Sequence, residues 1–286
     1  NDFVDFRNAA NDYNKGSYKG VRNYAGFKGI YFSLNSDLNL SEKCDSLHPW
    51  EPVGRSSSCF FRGHFEGNGH TVDYLCIDDT TTSYKGIFGC ADSAEIANLS
   101  LGIHSHILAN KYIGGIVGYA KNRSFIHGCA NHAPIMGKGE CVGGICGYLQ
   151  QSTLQECLNT ARIQGNEKVG GIVGSAGASS NNGTSVSYCF NSSYIQGKNC
   201  IGGIIGFLNG YSRLQRTYNC GQLYGENYAG SIVGRKYSSS SMVERCCYDK
   251  QMLSVGGING KDTPNETFGY FTGQMTGNGL ENQLGN

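Results

Sequence analysis

The sequence predicts an all-β chain wound as a single-stranded parallel β-helix (a β-solenoid), with about three short strands in each coil of 27–32 residues. Three observations predict it. The phrase Gly114-Gly115-Ile116-Val117-Gly118 returns as Gly143-Gly144-Ile145-Cys146-Gly147, Gly170-Gly171-Ile172-Val173-Gly174, Gly202-Gly203-Ile204-Ile205-Gly206 and Gly230-Ser231-Ile232-Val233-Gly234. With a shorter copy at Gly86-Ile87-Phe88-Gly89 and a degraded one at Gly256-Gly257-Ile258-Asn259-Gly260, the steps are 29, 29, 27, 32, 28 and 26 residues. Each period also holds two further β-rich runs, and nothing within it sustains a helical period. A propeller blade would need four strands and ~40 or more residues.

Taken in order, residues 1 to 80 read as an N-terminal cap and irregular coils. Phe3, Phe6, Ala9, Ala10 and Tyr13 make the start a candidate for a short amphipathic helix covering one end. Residues 81 to 248 read as regular coils. Their second run is Leu154-Gln155-Glu156-Cys157-Leu158-Asn159 and its equivalents, and their third is Ala161-Arg162-Ile163-Gln164-Gly165 and its equivalents. Coils stack at ~4.8 Å, so equivalent residues lie above one another. The expected columns are an Ile ladder (Ile116, Ile145, Ile172, Ile204, Ile232) and an inward thiol ladder (Cys129, Cys157, Cys189, Cys246, broken by Thr217). An Asn ladder (Asn131, Asn159, Asn191, Asn219) ends the second strand, where Asn side chains can bond one another and tolerate αL. Residues 249 to 286 read as a last coil and irregular tail, with loops at Thr263-Pro264-Asn265-Glu266-Thr267 and in the Gly-Asn-rich terminus. The whole is expected to be one β-solenoid domain.

Composition supports order and excludes several functions. Glycine is high at 43 residues but falls at repeat positions, and proline is low at 4. With 23 basic and 22 acidic residues there is no basic stripe for nucleic acid. No apolar run approaches the ~18 residues of a membrane span. No initiating Met or signal-peptide core is present, so the chain reads as a trimmed, mature piece. The 13 cysteines are odd in number and include no Cys-x-x-Cys. Cys141 and Cys200 share a column two coils apart, about 9.6 Å, beyond bridging distance. Vicinal Cys246 and Cys247 should face opposite ways and stay reduced. Cys44 with Cys59, near the Trp50 turn, is the pair best placed to bond.

These phrases resemble the GLUG repeat family of bacterial surface proteins. The Gly-Gly-Ile-Val-Gly phrase with its Cys-x-Asn follower carries the likeness. Opening segments such as Trp50-Glu51-Pro52-Val53-Gly54 and Phe61-Arg62-Gly63-His64-Phe65-Glu66-Gly67 are similar to those preceding such repeats in secreted Bacteroides-type proteins. Cys247-Tyr248-Asp249 and Gly273-Gln274-Met275-Thr276 look like the family's closing segment. The likeness covers roughly residues 20 to 277. It departs at Ser231 and in the cysteine-rich columns. It implies an extracellular or cell-surface protein with an adhesin-like role, and names no ligand.

No catalytic residues, cofactor or metal are expected. Glycoside hydrolysis uses two nearby carboxylates. Between Asp92 and Asp249 there is no Asp, and the Glu residues scatter over different columns. Glu140 and Glu167 come nearest, one coil apart, and read as solvated turn residues. Asp73, Asp78 and Asp79 are a second acidic group, where Asp78-Asp79-Thr80 reads as a turn. His-Glu-x-x-His is absent, as a zinc peptidase would need. His104, His106, His127 and His132 lie on neighbouring coils near Cys129, the outline of a metal site, but a surface pair is the simpler account. A glycine phrase repeated in every coil is structural, not a phosphate loop. The one candidate binding face is the column after the glycine phrase: Cys90, Tyr119, Tyr148, Ser175, Phe207 and Arg235. Facing out, Tyr119 and Tyr148 would platform a sugar ring or a partner loop. Facing in, they are core, and the alternation leaves parity open. The expected partner is a host or microbial glycan or an extracellular protein, and an upstream lipid anchor is compatible with this. The alternatives are a β-helix carbohydrate-active enzyme and a structural spacer in a larger surface protein.

Overall fold

A computed structural model describes residues 2–179 and 183–275. It is a parallel β-solenoid of about 7 turns with one short N-terminal helix. The register matches the repeat. Val117 lies opposite Cys146, then Val173, Ile205 and Val233, all in parallel pairs.

Each coil carries more than the three strands expected. One coil runs Glu140–Gly143, Cys146–Gln150, Thr153–Gln155, Leu158–Asn159 and Ile163–Gln164. Such segments feed four parallel sheets of 9, 9, 6 and 8 strands among the described residues. The reason is that the glycine phrase is a corner rather than one strand. One strand ends at Gly143 and the next begins at Cys146. Alternation stops there, and Ile145 and Cys146 are both fully buried.

The columns form as read. Ile116, Ile145, Ile172, Ile204 and Ile232 are all fully buried. Each such side chain contributes about 1.5–3 kcal/mol relative to exposure. Cys129, Cys157, Cys189 and Cys246 face inward with Thr217 among them. Their thiols donate to the carbonyls two residues back, at 3.3, 3.2, 3.1 and 3.3 Å.

The Asn ladder is a continuous buried hydrogen-bond chain. Asn131 Nδ2 donates to Asn159 Oδ1 at 2.8 Å, Asn159 to Asn191 at 2.8 Å, and Asn191 to Asn219 at 2.7 Å. Its residues do not adopt αL, contrary to expectation. Left-handed residues recur instead at other places, two of them long columns. One comprises Tyr84, Tyr112, Cys141, Lys168, Cys200 and Tyr228, with φ between 50° and 64°. The other includes Glu156, Tyr188, Arg216 and Arg245. The Asn side chains instead bond their own turns, as in Asn159 Nδ2 to the Ala161 carbonyl at 2.9 Å, which leaves their backbone extended.

Two expectations fail at the C-terminal end. Ile258 sits opposite Val233, so the degraded phrase is one residue out of register with the Ile ladder. Gly257 takes the Ile place because Thr267 fills it: a β carbon at Gly257 would lie 2.3 Å from the Thr267 side chain. The tail is also less irregular than expected. Residues 263–266 turn, but Thr267–Tyr270 adds a parallel strand to Cys246–Asp249. That strand adds a rung to the sheet and leaves Cys247 between its register partners Tyr218 and Phe268; Cys246 and Cys247 are both buried free thiols. The Gly-Asn-rich terminus beyond Met275 lies outside the described residues.

The N-terminal helix, Asp2–Asn11, caps the core as the apolar spacing predicts. Phe3 stacks on Trp50 with ring centroids 5.4 Å apart, and Phe6 packs on Phe27, Phe32, Phe61 and Phe65. Asn11 ties it down, donating to the Pro52 carbonyl and accepting from the Gly54 amide, both at 2.9 Å. Tyr13 lies past the helix and is half-buried. Deleting residues 2–11 uncovers this aromatic cluster and nearby strand edges, so the truncated chain should aggregate. Light scattering checks this, and a monomeric truncated protein would remove the capping role.

Candidate binding face

The candidate column faces outward. Cys90, Tyr119, Tyr148, Ser175, Phe207 and Arg235 are successive register partners. The next residues, Ala91, Ala120, Leu149, Ala176 and Leu208, are fully buried, which settles the parity. At its first rung the column is covered. Residues 54 and 61 bond the Cys90 backbone at 2.6 and 2.9 Å, and Cys90 is fully buried. From Tyr119 onward the aromatic members are half-exposed.

Tyr119 and Tyr148 stack one rung apart, ring centroids 5.3 Å and planes 7° from parallel. The left-handed column beside them adds two more rings. Tyr84 and Tyr112 stack at 5.1 Å, and Tyr112 lies 6.2 Å from Tyr119 and 6.1 Å from Tyr148. The bulge at Tyr112, φ 55°, brings that side chain onto the same face. The sequence aligns Tyr112, Cys141, Lys168, Cys200 and Tyr228 in the column before the glycine phrase, and Tyr84 is missed. The available signal was its place two residues before Gly86, matching Tyr112 before Gly114, hidden by the shortened phrase. Each pair contributes about 0.5–1.5 kcal/mol beyond area burial, so the face is rigid before any ligand arrives.

The phenols of this face are uncharged, with the Lys111 ammonium over the Tyr112 ring at 5.3 Å. Burial pushes the Tyr119, Tyr148 and Tyr112 phenols above their usual range, so they stay protonated. The Tyr119 hydroxyl donates to Gln150 Oε1. Beyond Tyr148, a cavity of about 250 Å³ is lined by Tyr112, Glu140, Tyr148, Lys168, Ser175 and Phe207, among others. Lys168 donates to Glu140 at 2.6 Å. Burial alone would lower the Lys168 amine, but this bond and nearby negative groups outweigh it and raise it.

The other candidates do not assemble. His104 pairs with Asp73 at 2.7 Å, and His64 and His127 flank Glu95 at 2.8 and 3.2 Å. His106 Nε2 lies 3.4 Å from Cys76 Sγ, His132 bonds Thr160, and Cys129 points into the core. Among the described residues no group of three or more His, Cys, Asp or Glu is arranged to hold a metal. Asp78 and Asp79 are not in a turn as expected but end the strand Cys76–Asp79, and Asp79 is held by Thr81, Thr82 and Lys85, which keep it ionised despite partial burial. Glu140 and Glu167 are register partners, but Glu140 is ion-paired. Cys44 and Cys59 are not bonded to each other. Cys44 Sγ sits 3.3 Å from the Cys76 amide, and Cys59 Sγ 3.8 Å from the Ala10 carbonyl under the helix.

No protein-family model matches the chain, so the GLUG likeness rests on the repeated phrases themselves. Over 168 residues, 57% of the chain, it is 24% identical to Halomucin of Haloquadratum walsbyi, and the chain spans only 2% of that relative. Its fold matches the 1.30 Å crystal structure of a Bacteroides ovatus protein provisionally named an immunoglobulin A1 protease, with TM-score 0.68 and 18% identity over 90% of this chain and 81% of that one. At that identity the likeness establishes the parallel β-solenoid and nothing about activity.

Proposed function

We propose that this chain is a non-enzymatic, adhesin-like binding module of an exported or cell-surface bacterial protein. Its ligand is a glycan or an extracellular protein, held on the face of Tyr84, Tyr112, Tyr119 and Tyr148. The observation that carries this reading is the four-ring face itself. Its rings are uncharged, half-exposed and pre-ordered by stacking on a rigid scaffold, which lowers the entropy lost on binding. The surface location draws on the repeat phrases and on the Bacteroides ovatus fold likeness.

The name of that neighbour raises the enzyme reading, and residue chemistry argues against it. His-Glu-x-x-His is missing. Asp73, Asp79, Asp92, Glu95 and Glu140 are engaged by basic partners rather than paired with one another.

The test is an array of mucin glycans, plant and microbial polysaccharides and matrix proteins, with mass spectrometry of each bound sugar. Selective capture without cleavage is expected. Replacing Tyr119 and Tyr148 together by Ala should weaken capture by roughly tenfold or more, as for buried aromatic anchors. Unchanged capture by a folded double variant would sink the tyrosine face. Cleavage products would move the assignment to an enzyme, and silence across the array to a spacer.

A further inference from the structure

The outward column is interrupted once. Tyr119 and Tyr148 occupy adjacent rungs and close on each other. Ser175 then breaks the run, so Tyr148 and Phe207 stand two rungs apart, about 9.6 Å. The near-parallel planes of Tyr119 and Tyr148 show that rings on this face lie across the coil axis. The floor between the walls is small: Ser175, Ala176 and Gly177. A β carbon at Gly177 would lie 3.6 Å from Tyr148 Oη, so the glycine keeps that floor low. The cavity of about 250 Å³ described above is this slot, with Glu140, Lys168 and Asn209 on its rim.

We infer that the slot holds one neutral hexopyranose ring stacked between Tyr148 and Phe207; this deepens the binding reading above and rests on it. Width selects the class. Contacting carbons sit ~3.5–4.0 Å apart, so a flat ring between two walls needs about 7–8 Å. A flat aromatic ligand leaves part of the slot empty, and the substituents of a chair fill the difference. Charge selects within the class. Lys168 and Glu140 neutralise each other at 2.6 Å, so the rim carries no net charge to favour a uronic acid or phosphate. The pair still offers ammonium donors and carboxylate lone pairs, which suit sugar hydroxyls. Lys168 Nζ also lies over the Phe207 ring, 5.5 Å from its centre, so this polar group reaches into the slot against the apolar wall.

The experiment titrates the purified chain with the methyl glycosides of glucose, galactose, mannose and N-acetylglucosamine. Saturation-transfer NMR and the ring signals of 13C-labelled Tyr and Phe are recorded. At least one glycoside should bind, with Kd on the order of 1 mM for a ligand of this size. Ser175→Tyr continues an aromatic stack the face already contains, so it should fold, fill the slot and weaken binding roughly tenfold or more. Phe207→Ala removes one wall by a route that adds no bulk, and should weaken binding similarly. No binding by any glycoside, or equal binding by wild type and folded Ser175→Tyr, overturns the slot. The wider reading fails separately. Array capture that is lost in the Tyr119/Tyr148 double Ala variant but kept in Ser175→Tyr removes the slot and leaves the tyrosine face standing.

Discussion

Asn159→Asp should cost at least about 3 kcal/mol at neutral pH, although it changes shape hardly at all. Asn159 is fully buried. Its Oδ1 accepts from Asn131, and its Nδ2 donates to Asn191 Oδ1 and the Ala161 carbonyl. The replacement turns the donor into an acceptor facing two acceptors. A buried group left unsatisfied costs about 1–3 kcal/mol, and more when charged. The penalty should depend on pH with a definite sign. Burial raises the folded pKa of the introduced carboxyl above its unfolded value of about 3.9. The penalty is therefore smallest below that value, where the protonated group can again donate, and grows as pH rises through the folded pKa. Urea unfolding followed by circular dichroism at pH 3.5 and 7 measures both. A loss under about 1 kcal/mol at pH 7 would mean the ladder is not a cooperative polar spine.

Gly171→Ala should be about as damaging, costing roughly 3 kcal/mol or more, because nothing nearby can yield. A β carbon there would lie 2.1 Å from the Gly203 carbonyl oxygen and 2.5 Å from Asn191 Cγ. The first contact is backbone of the next coil, and the second belongs to the Asn ladder. The coils would have to separate, breaking pairs on both sides. Gly177→Ala is the control, since its nearest atom lies at 3.6 Å, and it should stay within about 0.5 kcal/mol of wild type. Equal unfolding midpoints for the two variants would rule out the clash.

The same contact explains the one departure in the repeated phrase. The second glycine packs on the Asn of its own coil: Gly115 on Asn131, Gly144 on Asn159, Gly171 on Asn191 and Gly203 on Asn219. At Ser231 the ladder has ended, and Tyr248 rather than Asn follows opposite Asn219. A side chain is accommodated there, and its hydroxyl donates to the Val255 carbonyl. Two phrases 15 to 20 residues apart in sequence are thus one packing unit.

The sequence by itself determined the solenoid, its period, the composition of its columns and its capping helix. Coil stacking turns a linear repeat into vertical contacts, so equal spacing is already a statement about neighbours. It left open whatever depends on how the chain bends within a coil. The glycine phrase reads as one strand, yet it is a corner with two consecutive buried residues, and only that corner sends Tyr119 and Tyr148 outward. The left-handed backbone of the column with Tyr84 and Tyr112 was not legible, because Tyr and Lys ordinarily avoid positive φ, and it is the stacked coils that hold them there. Ile258 slipped by one place because Thr267, contributed by a strand formed later in the chain, already filled the site. The slot between Tyr148 and Phe207 needs both the outward parity and the register across three coils. Those are properties of the assembled stack, in which small residues acquire meaning from the large ones above and below them.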